Sequence, residues 1–228
     1  MKNILYKELR LCMPARTLIF FAFVSMLLIP DYPYLVAGFF ICNGIFQMFT
    51  QSAVDNDITF TSLLPVSKKD AVRGKQLFVI CIQAASLLLF LAMVFVNFAI
   101  YRGKGNNAGT DASLTFLGAI LLLYSLFNSV FLPAFYKTPH KFGNHFLKAT
   151  IVTFVFIVLF EGFMIAAGAA AEHVPFFAWV KENLKSFPQT PGAWTAQAVF
   201  FSACAAVYAL SSVFAGRAAA KNFDKVDL

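Results

Sequence analysis

Residues 17–52 read TLIFFAFVSMLLIPDYPYLVAGFFICNGIFQMFTQS, and the way this stretch crosses or folds back decides the fold. It is apolar almost throughout, yet as one helix it would be about 54 Å long against a hydrocarbon core of roughly 30 Å. The chain must therefore turn back on itself. Pro30-Asp31-Tyr32-Pro33 supplies the break, because each proline removes a backbone donor and biases its predecessor away from helix. The reading is a tight hairpin of two shortish helices, Thr17 to Ile29 and Tyr34 to Ser52.

The same ruler of about 20 residues per crossing fits four more segments. They run from Gln76 to Tyr101, Ser113 to Tyr136, Ala149 to Ala171 and Thr195 to Ala215. The bulk numbers agree: 60% of the chain is hydrophobic, 13% is charged, there are 29 Phe, and the mean hydropathy is +0.73. A soluble domain carries about twice that charge and under half apolar residues. A soluble enzyme, a disulfide-stapled domain, a disordered chain and a collagen-like chain are excluded. An outer-membrane barrel fits poorly, since its strands alternate in runs of about ten.

A net charge of +7 would invite a nucleic-acid reading in a soluble protein. Here the basic residues lie between apolar runs, where they set orientation and meet anionic headgroups, so no nucleic-acid partner is expected. The side of the termini carries 14 Lys and Arg: Lys2, Lys7, Arg10, Arg16, Lys68, Lys69, Arg73, Lys75, Lys137, Lys141, Lys148, Arg217, Lys221 and Lys225. The other side carries 4, Arg102, Lys104, Lys181 and Lys185. Basic loops stay in the cytoplasm, so both termini are expected inside; an odd number of spans would mix the two sets. The expected fold is an all-α membrane protein with six transmembrane helices over 17–217, an interfacial helix over 1–16 and a cytoplasmic tail over 218–228. The four cysteines, Cys12, Cys42, Cys81 and Cys204, read as buried small apolar residues, with no spacing for a disulfide or zinc framework.

Two segments read as interfacial. Met1, Ile4, Leu5 and Cys12 share one helical side opposite Asn3, Lys7 and Arg10, so an amphipathic helix should lie along the inner surface before Pro14. Glu8 interrupts its apolar stripe and is either paired with a nearby Arg or a contact for a partner at the inner face. On the outer side Phe176, Phe177, Val180, Leu184 and Phe187 recur at helical spacing between Pro175 and Pro188, a half-buried outer helix. Tyr32, Tyr34, Tyr101, Trp179 and Trp194 fall at the level of an aromatic belt.

Catalytic patterns are absent from the sequence: there is no G-x-x-x-x-G-K-[ST], no H-E-x-x-H and no G-x-S-x-G. His140 and His145 share an inner loop with Lys137, Lys141 and Lys148 and read as solvated rather than metal-binding. Glu161 is the one acid inside a span, near the middle of the fifth, and should face the protein interior. Two readings stand: a pathway or proton-coupling carboxylate, or helix glue partnered by Asn43, Gln47, Gln83, Asn97 or Asn128. Small-residue faces at Gly162 and Ala166–Ala171, and at Ala203, Ala205, Ala206 and Ala209, permit close helix approach within one chain or across a dimer.

The loop at 53–75 is the most distinctive segment. It contains Asp55-Asn56-Asp57 and then Leu64-Pro65-Val66-Ser67-Lys68-Lys69-Asp70, where Ser67 is placed to cap a short helix with Asp70 three residues on. A compact helix projecting from the inner surface, with an apolar tip beside dense positive charge, is what a soluble motor would need in order to push on a membrane unit.

This loop, with Val72 and Lys75, resembles the acidic turn, L-P-V-S-[RK]-K and V-x-x-K signature of bacterial ABC-2 type transporter permeases. Leu5-Tyr6-Lys7-Glu8-Leu9-Arg10 is similar to the opening of the same family, and the nearest subgroup is the small permeases of bacitracin-type and phenol-soluble-modulin-type peptide exporters. Relatives often carry a more charged stretch where Ile58-Thr59-Phe60 stands. The resemblance implies that Leu64, Pro65, Val66, Ser67, Lys68, Lys69 and Asp70 form a coupling helix that docks on an ABC ATP-binding subunit, in two copies, with ATP and Mg held there. It implies no enzyme activity, no cofactor and no metal on this chain. It also implies a second permease chain, identical or not, and a multi-pass location in the bacterial cytoplasmic membrane among its lipids.

The function expected from this is the permease half of an ATP-driven exporter for amphipathic peptides or other hydrophobic cargo. A secondary transporter or channel using Glu161 as its ion-coupling residue is the alternative, and a regulatory membrane subunit without a pathway is a third.

Overall fold

The structure, a computed structural model, describes residues 7, 15–63 and 65–226. All regular structure among them is helical. A short helix α1 (Ala15–Ile19) tightens into a 3₁₀ stretch, Phe20–Leu28; α2 is Leu35–Val54, α3 Asp57–Leu63, α4 Lys68–Tyr101 and α5 Leu114–Lys137. After a 3₁₀ turn, Pro139–Lys141, follow α6 (Phe142–Ala170), α7 (Pro175–Val180) running into a π turn at Lys181–Lys185, and α8 (Pro191–Asp224).

Five helices are long and apolar enough to cross a membrane, and the first apolar segment, Thr17–Leu28, is a shorter one. Five such helices stand where six crossings were expected, and the remaining expected one corresponds to this short segment. Its conformation offsets part of the shortfall, since a 3₁₀ helix rises about 2.0 Å per residue against about 1.5 Å. The free carbonyls at its end are covered by α4: Asn97 Nδ2 donates to Leu27 O at 2.6 Å and Tyr101 Oη to Leu28 O at 2.7 Å. At its start Thr17 Oγ1 donates to Gly44 O, and the Phe20 ring lies where a Cβ on Gly44 would be in tight contact. The expected hairpin follows, with Asp31 in the left-handed region at φ 50°.

Helix α5 is the axis of the bundle. Its spanning window is 72% buried against 17% for α8, so the other helices pack around it. Phe116, Tyr124, Phe127, Phe131 and Phe135 are fully enclosed, and Phe49 meets Phe131 and Phe135 edge-on. Gly118 allows Phe200 and Cys204 of α8 to approach the α5 backbone. In a bilayer such packing and interhelical hydrogen bonds hold helices together, because lipid is as apolar as Leu. Gln83 and Asn128 exchange two amide hydrogen bonds at 3.0 and 2.9 Å, and Tyr208 Oη donates to Gln83 Oε1 at 2.7 Å, tying α4, α5 and α8.

Several boundaries differ from expectation. Helix α4 starts at Lys68 rather than Gln76, because Ser67 caps it and nothing between Asp70 and Gln76 breaks it. Of the stretch expected to form a short separate coupling helix, Lys68–Asp70 open a 34-residue helix, Ser67 caps it and Pro65–Val66 lead into it. Helix α8 likewise runs to Asp224, so most of the expected tail over 218–228 is helical. Cys42 and Cys204 are buried as expected, whereas Cys81 is exposed, since it lies on the outward side of α4; Cys12 lies outside the described residues. The N-terminal interfacial helix lies outside them too, apart from Lys7. Lys7 bonds to Asp57 and the Val226 carbonyl accepts from Lys68, so both extremities of the described chain meet the α2–α4 loop. That end of the bundle is called the basic end below.

Candidate functional site

The basic-end loop is built around one carboxylate. Helix α2 stops at Asp55, Asn56 takes a left-handed φ of 51°, and Asp57 opens α3. Asp57 Oδ1 accepts from Lys7 Nζ at 2.6 Å and Oδ2 from Lys75 Nζ at 2.8 Å. Lys7 also donates to Thr61 Oγ1 at 2.7 Å, and Lys75 to Ser52 Oγ. Burial works against the charge on Asp57, but Lys75 and Lys7 outweigh it and hold its pKa below the ordinary value of 3.8. The result is a clamp joining the N-terminal segment, the end of α2, α3 and the foot of α4.

Pro65 is exposed, and Val66 is half-buried against a small cavity of about 70 Å³ that it shares with Ile58, Ala71, Tyr136 and Phe223. Ser67 accepts from Asp70 N at 3.1 Å, the N-cap foreseen in the sequence, and its hydroxyl donates to Asp70 Oδ2 at 2.7 Å. Lys68 donates to Val226 O at 2.7 Å and lies 5.6 Å above the Phe223 ring. Lys69 approaches Asp224 at 3.9 Å, and Arg73 approaches Asp70 at 3.7 Å, both as exposed pairs. Leu64 and Glu8 lie outside the described residues. The residues presented outward are Pro65, Ser67 and Lys69, joined by Leu63 of the same apolar tip, 80% exposed, and by Phe60, 53% exposed, which sequence reasoning did not single out as a contact.

At the opposite end Glu161 occupies a second centre. It is 4% exposed, and its partners are main chain and a loop hydroxyl rather than the amides expected in the sequence. Oε1 accepts from Leu35 N at 3.3 Å, the first turn of α2, where the helix dipole favours negative charge. Oε2 accepts from Thr110 N and Oγ1. The α4–α5 loop thus dips into the bundle, and Asn106, Thr110 and Asp111 are all buried. Asp111 accepts from Asn106 N at 2.6 Å and from Phe187 N at 3.1 Å, while its own N–H donates to Lys185 O. Burial raises the Asp111 pKa above the ordinary value against the pull of those bonds and of Lys185, and burial lowers that of Lys185. Gly109 has a φ of 151°, and a Cβ there would overlap the Glu161 carboxylate.

Lys7, Asp57 and Lys75 were visible only as members of a motif, and nothing in local spacing pairs residues 50 positions apart. Thr110 and Asp111 lie in a polar loop with no motif or periodicity that marks them in the sequence. Among the described residues no cluster of His, Cys, Asp or Glu has the makings of a metal site.

A family model described as "ABC-2 family transporter protein" matches residues 3–217. Neither a curated protein nor a solved structure gives a significant match.

Proposed function

The chain belongs to the ABC-2 family of transporter proteins, membrane transport components that are not themselves catalytic, and from that premise we propose that it is the permease subunit of an ATP-driven exporter. In this reading the short first helix and the five long ones make six crossings, with both termini in the cytoplasm. The 14 to 4 division of Lys and Arg supports that, as does the meeting of Lys7 and Val226 on one loop. Two such chains, or this one and a sibling, enclose a pathway, and two ATP-binding subunits holding ATP and Mg drive it. The cargo is an amphipathic peptide or another hydrophobic molecule.

The observation that carries the reading is the Asp57 clamp. A loop that transmits force must be stiff at its base and exposed at its tip. Here the base is two lysines on one partly buried carboxylate, and the tip presents Leu63, Pro65 and Lys69. Glu161 enters as the catch that keeps the α4–α5 loop seated across the opposite end. Ion coupling through Glu161 has less support, because both of its oxygens accept hydrogen bonds in a site closed to solvent.

Co-expression with an ABC ATPase from the same genetic neighbourhood tests this. The wild-type chain is expected to co-purify with it, and Leu63→Asp combined with Lys69→Glu is expected to lose it while remaining monodisperse in detergent. Retention of the ATPase by that variant would move the docking site elsewhere, and no complex with the wild type would remove the permease-subunit reading.

A further inference from the structure

A groove of about 900 Å³ runs between α4 and α8 on the flank of the bundle, sharing Lys69, Arg73 and Asp224 with the basic end and lying away from Glu161. Both helices, at 34 residues each, are longer than the roughly 20 residues a crossing needs, and the floor of the groove is the Gln76 side chain, which donates to Ser212 O and packs on Gly216. Between Tyr208 and Lys221 the groove follows α8 for about 20 Å, more than the roughly 15 Å of one leaflet's hydrocarbon.

Its two halves differ in chemistry. At the basic end the rim carries Lys69, Arg73, Arg217 and Lys221 against the carboxylate of Asp224. Lys69 and Arg73 have loose partners at 3.9 and 3.7 Å, and among the described residues Arg217 and Lys221 have no ion pair. One turn further on, the walls become Leu77, Ile80 and Val213, with Leu77 and Val213 turned outward at 38% and 50% exposure. Four cations beside the two loosely held carboxylates of Asp70 and Asp224 leave a net positive charge that an entering anion would offset, and an apolar trough continuing from them accepts a hydrocarbon chain.

We propose that this groove is a binding site for one anionic phospholipid of the inner leaflet, its phosphate among Arg73, Arg217 and Lys221 and an acyl chain along Leu77, Ile80 and Val213. The cation rim lies where headgroups lie, and the apolar trough lies where tails lie. A second copy of the chain suits the site less well, because a two-fold contact on this face would set the same cations against each other. A soluble partner reaches only the rim. The inference does not use the cargo, and the phosphate site leaves out Lys69, the one rim cation it shares with the ATPase docking tip.

Native mass spectrometry of the full chain released from detergent, with phosphatidylglycerol or phosphatidylcholine added, tests it. The wild type should retain one phosphatidylglycerol in clear preference to phosphatidylcholine. Arg217→Gln with Lys221→Gln should weaken that retention about 30-fold, from two headgroup-level charges removed. Val213→Trp, which fills the trough and leaves every charge in place, should also displace the lipid, so the test survives if the charge variant folds poorly. Arg102→Gln with Lys104→Gln, which removes the same charge at the opposite end, should retain it. Equal retention of the two lipids, or retention by both groove variants, overturns the proposal. So does competition by inorganic phosphate as effective as that by lipid, or a dimer that dissociates on Val213→Trp.

Discussion

Thr110 donates twice to the Glu161 carboxylate, from its main-chain N at 2.8 Å and from Oγ1 at 3.2 Å. The same carboxylate accepts from Leu35 N, so one acid fastens the α4–α5 loop to the start of α2. Glu161→Gln keeps the shape but turns an NH₂ toward one of these N–H groups, and leaving a buried donor unmatched costs about 1–3 kcal/mol. The expected result is a lower melting temperature in detergent and a loosened loop. Asn106, 5% exposed in this arrangement, reports on the second effect. A cysteine placed there should react with a soluble maleimide faster in the Glu161→Gln background, and equal rates would mean that Glu161 does not hold the loop.

Gly109→Ala attacks the same contact from the other side. Its φ of 151° is a backbone conformation that side chains avoid, and the added Cβ would overlap the carboxylate. Gly143, where a Cβ meets open space, is the control. Gly109→Ala should unseat the loop by the Asn106→Cys assay while Gly143→Ala leaves it seated. Identical labelling of the two would show that the loop approaches less closely than described.

Asp57 faces two lysines whose own burial depends on it, with Lys75 only 4% exposed at its side chain. Removing one charge of a largely buried pair costs about 3 kcal/mol, the low end of the range for such pairs, because both lysines keep other bonds, Lys75 to Ser52 Oγ and Lys7 to Thr61 Oγ1. Asp57→Asn should therefore destabilise the chain by roughly 3 kcal/mol and free the segment around Lys7, while Asp55→Asn, whose exposed carboxylate takes the Gln51 side-chain amide of its own helix, should be nearly silent. The pH dependence has a definite sign. The folded pKa lies below 3.8, so the carboxylate's contribution is present above that value and disappears as pH falls through the folded pKa. The gap between wild type and Asp57→Asn should be flat from pH 8 to pH 5 and close only in stronger acid. A gap that closes near neutrality would point to a different group.

What the sequence disclosed and what it hid separate along one physical line. The hairpin was legible because prolines act on their immediate neighbours, and the Ser67 cap because an N-cap bond spans three residues. The single acid Glu161 was legible because charge is costly within an apolar run. Its partners were not, since one is a backbone N–H and the other sits in a polar loop that carries no periodicity. The 3₁₀ build of the first segment is set by the Gly44 contact and by Asn97 and Tyr101, all distant in the chain. The basic rim of the α4–α8 groove stands where both helices extend past their expected ends, which required the absence of a breaker beyond Ala215 and before Gln76 to be weighed more heavily than hydropathy.

The clasp on the first helix gives a local prediction. Asn97→Leu leaves Leu27 O without its donor, and Tyr101→Phe does the same to Leu28 O, each at about 1 kcal/mol. Hydrogen exchange over 20–28 should quicken in the double variant, while α5, which neither side chain touches by hydrogen bond, keeps its protection. Uniform quickening across the bundle would mean that the first helix is not a separately held element.

The Gln83–Asn128 pair makes a cleaner test of what holds the spans together, because it can be removed whole. Gln83→Leu strands the Asn128 amide and takes away the acceptor of Tyr208, and Asn128→Leu strands Gln83. Each single change should destabilise by about 1–2 kcal/mol, near the top of what interhelical polar contacts in membranes contribute. The double leucine variant should cost less than the sum, since neither amide is then left facing hydrocarbon without a partner. The remaining loss in that variant belongs to Tyr208, whose hydroxyl still needs an acceptor, so adding Tyr208→Phe to the double should recover part of it. Strict additivity across this cycle, measured by unfolding in detergent, would show that the two amides are solvated independently and that packing against α5 alone joins α4 and α8.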